Sequence, residues 1–106
     1  MKFLLFRTEP KHPKKKSELV GVEYAKTIHD AMDALIRDIN DDLAAQPENR
    51  HCEIYSYAPD SLGGTIKEMQ EETVPGTQYE FTGVVSPVYA SSNTLYPYIV
   101  EVHNES

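Results

Sequence analysis

The sequence predicts an α+β fold, a two-layer sandwich with helices on one face of a four- or five-stranded sheet that is antiparallel or mixed. Residues 27–46 repeat apolar side chains in steps of three and four, which is the period of a helix. On both sides of that stretch, short segments alternate apolar and polar residues between prolines and glycines, as strands do. A chain of 106 residues fits a single domain covering residues 1–106.

The predicted long helix, residues 27–46, has an apolar side and an acidic side. Thr27 is a good N-cap, and Pro47 ends the helix because the residue before a proline disfavours helical geometry. The apolar side should form the core, and its large members are Ile28, Met32, Leu35, Ile36, Ile39 and Leu43. The other side carries Asp30, Asp33, Asp38, Asp41 and Asp42 against Arg37.

Five segments have the pattern of strands. They are residues 2–8, 19–25, 51–58, 77–85 and 96–103. Pro97 has no backbone N–H, so the start of the last strand should lie at an edge or a bulge. Residues 60–76 fit two patterns: a capping box at Thr65 favours a short second helix over residues 65–72, and the same residues also alternate as a strand.

Residues 9–18 are predicted to form an exposed basic loop, because they hold two prolines, four lysines and no large apolar residue. Six basic residues against Glu9 give residues 1–16 a net charge of +5, so the rest of the chain carries −12 of the total of −7. An acidic body repels phosphates, which makes a nucleic-acid protein acting through the loop the weakest of three functional hypotheses.

The composition also limits the class of protein. The first apolar run, residues 3–6, is too short for a signal peptide or a membrane span, and a single cysteine, Cys52, excludes an internal disulfide. These features predict a cytoplasmic protein that does not contact a membrane. Metal-ligand spacings, glycine-rich phosphate loops and nucleophile motifs do not occur. We therefore expect no catalytic residue, no cofactor and no metal.

The leading hypothesis is a small, acidic, non-enzymatic protein-interaction module of the regulator or inhibitor type. Asp41 and Asp42 lie near the negative end of the helix dipole, where acids weaken a helix, so function is a reason to keep them. The expected partner is another protein, of basic character. The candidate surface consists of Asp33, Asp38, Asp41, Asp42, Tyr55 and Tyr57. The alternative is a small-molecule-binding protein or small enzyme with a tyrosine-lined pocket between the sheet and loops 60–76 and 86–95.

Overall fold

The computed structural model describes residues 1–57, 73–89 and 91–105. Along the chain they form β1 (Lys2–Glu9), β2 (His12–Tyr24), α1 (Ile28–Ala44), a 3₁₀ turn (Pro47–Asn49), β3 (Glu53–Tyr57), β4 (Gln78–Ser86) and β5 (Thr94–His103). All strand pairs are antiparallel, and α1 packs on one face of the five-stranded sheet. The α+β prediction is therefore confirmed. The second helix predicted over residues 65–72 lies outside the described residues.

The strand order is β2-β1-β5-β4-β3, so the last strand lies in the middle of the sheet and β2 and β3 form its edges. The β1–β5 ladder runs from Lys2 opposite His103 to Arg7 opposite Tyr98. Pro97 lies one residue beyond that ladder, where β5 is paired with β4 alone. The prediction that Pro97 occupies an edge position is confirmed, because the missing N–H falls where one neighbouring strand has ended.

The helix follows its sequence pattern closely. Thr27 is the N-cap, and its hydroxyl accepts a hydrogen bond from the backbone N–H of Asp30 at 3.1 Å. The buried positions on α1 are Ile28, Ala31, Leu35, Ile39 and Leu43. At the other end the buried side chain of Asn49 donates to the carbonyl of Leu43 at 2.9 Å. This bond satisfies one of the carbonyls that a helix end leaves without a partner.

The helix lies unusually close to β4 at Gly83. A methyl group at Gly83 would lie 2.5 Å from Leu43 Cδ1 and 2.9 Å from Ile39 Cγ2. Because the two apolar side chains occupy the space of the missing Cβ, a glycine at this strand position sets how closely α1 packs on the sheet.

The prediction that residues 9–18 form a loop is wrong, because most of these residues belong to strands. β2 begins at His12, and β1 continues to Glu9, so the turn consists of Pro10 and Lys11. The prediction of exposure is correct, since residues 10–19 are all exposed. We call residues 9–18 the basic arm. Lysine and proline are tolerated here because β2 is an edge strand, in which one side of the backbone needs no partner.

Candidate functional site

Asp42 is not part of an exposed acidic surface, in contrast to the sequence prediction. Its side chain is 10% exposed and forms a bond to the guanidinium of Arg7 through each carboxylate oxygen. Arg7 Nε lies 3.0 Å from Asp42 Oδ2, and the hydroxyl of Tyr98 donates to the same oxygen at 2.6 Å. Arg7 also contacts Glu18 on β2 at 2.9 Å. The carboxylate thus joins α1 to β1 and β5.

The electrostatics of this cluster agree with a structural role. The hydrogen bond from Arg7 to Asp42 raises the pKa of the guanidinium above its already high value. Burial, and then the hydrogen bond to Asp42, raises the pKa of the Tyr98 hydroxyl far above its usual value of 10. Both shifts favour the protonated forms of Tyr98 and Arg7. We conclude that the cluster fastens the helix to the sheet.

Asp38 also points toward the sheet. Its carboxylate lies over Gly21 of β2, where a methyl group would come within 2.6 Å of Asp38 Oδ2. Burial raises the pKa of Asp38, and the negative charge of Glu23 on the same strand raises it further. Of the four aspartates in the candidate surface, Asp33 and Asp41 are exposed, and Asp38 and Asp42 are partly buried. The predicted acidic surface is therefore half as large as the sequence indicates.

Tyr55 and Tyr57 lie on the opposite face of the sheet from α1, which separates them from the aspartates. On β3, Ile54 packs on the core and Ser56 Oγ donates to Asn40 of α1 at 2.7 Å, so both face the helix. Side chains alternate along a strand, and the two tyrosines consequently face the other way. The structure does not bring the six predicted surface residues together.

We call the sheet face opposite α1 the open face. It carries exposed apolar side chains from three strands, which are Leu19, Val22, Tyr24, Tyr55, Tyr57 and Leu95. The described helices, α1 and the 3₁₀ turn, do not cover it. Val84 and Ile99 share this face and are buried, so the face is exposed at some positions and buried at others. Exposed apolar side chains that lie close together are typical of a surface that binds a partner.

One part of the open face combines aromatic anchors with an acidic rim. Tyr55, Tyr57 and Leu95 are 43%, 45% and 60% exposed and form what we call the tyrosine patch. The hydroxyl of Tyr55 accepts a hydrogen bond from Asn93 Nδ2 at 3.1 Å. Two exposed glutamates flank the tyrosines on this face. Glu53 lies two residues before Tyr55 on β3, and Glu80 lies two residues before Thr82, the residue of β4 that pairs with Tyr57. The patch is apolar at its centre and negative at its rim.

The other part of the open face is occupied by a charged cluster around Glu101. Lys16 of the basic arm passes over the ring of Phe6, 5.0 Å from its centre, and forms an ion pair with Glu101. Gln78 Nε2 donates to Glu101 at 3.2 Å, and His103 Nε2 contacts it at 3.0 Å. The hydrogen bond from Lys16 lowers the pKa of Glu101.

A cavity of about 320 Å³ lies beside this cluster, and its lining contains no tyrosine. The lining residues are Pro75, Gly76, Thr77, Gln78, Glu101, Val102, His103 and Asn104. Within the described parts of the chain, histidine, cysteine, aspartate and glutamate do not gather in a group of three that would hold a metal ion. Cys52 is half-buried and packs against the core. The alternative of a tyrosine-lined pocket involves loop 60–76, most of which lies outside the described residues, so it stays a prediction.

Comparison of the chain with protein-family models, with curated proteins and with solved structures finds no match. Among the described helices none has the length and apolar composition needed to cross a membrane.

Proposed function

We propose that the protein is a small, non-enzymatic interaction module of the regulator or inhibitor type, and that it binds a basic partner protein at the tyrosine patch. The observation that carries the proposal is the exposure of Tyr55, Tyr57 and Leu95 on the sheet face opposite α1. Tyrosine supplies a large contact area with few rotatable bonds, and for this reason it is enriched among the residues that contribute most to binding.

The charge around the patch selects the partner. Glu53 and Glu80 form its rim, and residues 17–106 carry a net charge of −12. A surface of this sign speeds the association of a basic protein and slows that of an acidic one. The proposal retains the basic partner expected from the sequence, and moves its binding surface from the helix to the open face because Asp38 and Asp42 face the sheet.

Affinity capture with matched variants tests the proposal. The bait proteins are wild type, Tyr55→Thr/Tyr57→Thr on the patch, and Asp33→Asn/Asp41→Asn on the exposed side of α1. Threonine keeps a high strand propensity, so the patch variant should stay folded. We expect a defined basic protein to be retained by wild type and by the helix variant, and the patch variant to bind it at least ten times more weakly.

The charge component has its own test with the purified partner. Glu53→Gln/Glu80→Gln should lower the association rate at low salt and reduce its dependence on salt, while changing the dissociation rate little.

In the affinity capture, equal retention of the partner by the patch variant, or loss of the partner from the helix variant alone, would contradict the proposal. Matching melting temperatures of the three baits serve as the control for folding.

A further inference from the structure

The outer edge of β2 is a second surface with the features of a binding site. β2 is the longest strand, with 13 residues, and it lies at the end of the strand order β2-β1-β5-β4-β3. Residues 12–19 on it are all exposed. In an edge strand every second residue directs its backbone N–H and C=O away from the sheet, which forms a template for one more strand.

The exposed half of this edge is positively charged. His12 and Lys14 to Lys16 lie along β2 on the two sides of Pro13, and Lys11 lies in the turn. Lys15 lies 3.5 Å from Glu9, and Lys16 is paired with Glu101. In residues 1–57, 73–89 and 91–105, Lys11 and Lys14 form no ion pair. Glu18, the first acid along β2, is neutralised by Arg7 at 2.9 Å.

The edge is also fixed in place, although it carries no apolar anchor. Arg7 connects the base of the basic arm to Glu18 and to Asp42 of α1. The hydroxyl of Thr8 donates to the carbonyl of Pro97 at 2.7 Å, and Lys16 reaches across the open face to Glu101. A preformed edge loses little conformational entropy when a further strand is added.

We propose that the β2 edge binds an extended acidic segment of another protein, which adds to the sheet as a sixth strand. Backbone hydrogen bonds supply the affinity in this mode, and acidic side chains that meet the lysines supply the selectivity. Residues 12–18 would span about 23 Å at the regular rise of a strand, the length of a seven-residue segment. Pro13 offers no N–H and the pairing of β2 with β1 skips residues 13–15 and 17, so the ladder of an added strand is interrupted at these positions. The lysines disfavour a second copy of this chain, since pairing centred on the lysine run places like charges together.

The edge site is separate from the tyrosine patch, so either one can fail without the other. The probe is a fluorescent seven-residue peptide of alternating glutamate and valine. One control peptide has glutamine for glutamate, and a second has methyl groups on alternate backbone nitrogens, which blocks strand pairing and keeps the charge. We expect the probe to bind at least tenfold more tightly than both controls, with shifts of backbone amide resonances confined to residues 12–19.

Variants of the protein complete the test. Lys14→Glu/Lys15→Glu should weaken binding of the probe at least tenfold, and Tyr55→Thr/Tyr57→Thr should leave it unchanged. Equal binding of the methylated peptide would show that charge alone acts, and would overturn the proposal. Tighter binding of a single-stranded oligonucleotide of equal charge, or a dimer of the free protein that Lys14→Glu/Lys15→Glu alters, would overturn it in favour of a nucleic acid or of a second copy.

Discussion

At the scale of single residues, Asp42 shows where reasoning from sequence reaches its limit. The sequence correctly marks this acid as unfavourable for its own helix end, and the physical reason for its presence lies elsewhere in the chain. Arg7 is 35 residues away and Tyr98 is 56 residues away. Separations of this size leave no periodic signal in the sequence. A local violation of helix electrostatics therefore has two explanations, function or a distant partner, and here the structure shows a distant partner.

The variant Asp42→Asn should destabilise the protein by about 2–3 kcal/mol, because hydrogen bonds to a charged group contribute about 1.5–3 kcal/mol and Arg7 keeps only the more exposed Glu18 as a counter-ion. For a domain of this size we expect a melting temperature lower by roughly 10–20 °C. Asp41→Asn is the matched control, since Asp41 is exposed and its charge opposes the helix dipole; it should be neutral or slightly stabilising. Equal melting temperatures of the two variants would show that the contact of Asp42 with Arg7 contributes nothing.

Asp38 gives a prediction of the opposite sign. Its pKa in the folded protein is raised above the usual 3.8, mainly by burial and then by Glu23, so its charge lowers stability at neutral pH. This destabilisation decreases as the pH falls through the raised folded pKa and is absent below the unfolded pKa. We expect Asp38→Asn to be more stable than wild type at pH 7 and to lose that advantage near pH 3. Urea unfolding at both pH values measures it, with Asp33→Asn as the exposed control.

At the scale of elements, the sequence predicts helices and strands whose side chains are buried, and it does not predict strands that form only by pairing with a neighbouring strand. The apolar repeat of α1 identifies the helix because its buried residues recur with the helical period. The first half of β2 has no such signal, because the side chains on both of its faces are exposed and contribute nothing to the core. Its strand structure comes from pairing with β1, for example Lys16 opposite Thr8, which depends on a neighbouring strand and not on its own sequence.

The contact between α1 and β4 gives the element-scale prediction. Gly83→Ala should destabilise the protein by about 1–3 kcal/mol, because the new methyl group overlaps Leu43 and Ile39 inside a packed core. Gly21→Ala is the control: its methyl group meets mainly the carboxylate of Asp38, the end of a flexible side chain, and lies 3.2 Å from Asp38 Cβ, so a smaller adjustment relieves the contact. Denaturant unfolding of both variants should show the larger loss at Gly83. An equal or larger loss at Gly21 would mean that α1 does not set the spacing at β4.

At the scale of the whole molecule, the strand order creates the surfaces on which the functional argument depends. Placing β5 between β1 and β4 makes β2 and β3 the edges and directs one long helix to a single face. The sequence predicts two layers, and it does not indicate that the tyrosines and the aspartates lie on opposite sides. That separation results from the alternation of β3 together with the position of α1, and both require the assembled sheet.

The most direct test of the central claim, binding of a partner at the tyrosine patch, is site-specific photocrosslinking in the native cell extract. A photoreactive phenylalanine derivative replaces Tyr57 on the patch or, as the matched control, Arg37 on the exposed side of α1. We predict that irradiation joins one basic protein to the chain from position 57 and not from position 37. An excess of unlabelled wild type should abolish this product, and an excess of Tyr55→Thr/Tyr57→Thr should not. A product formed from position 37 alone, or from neither position, would contradict the account.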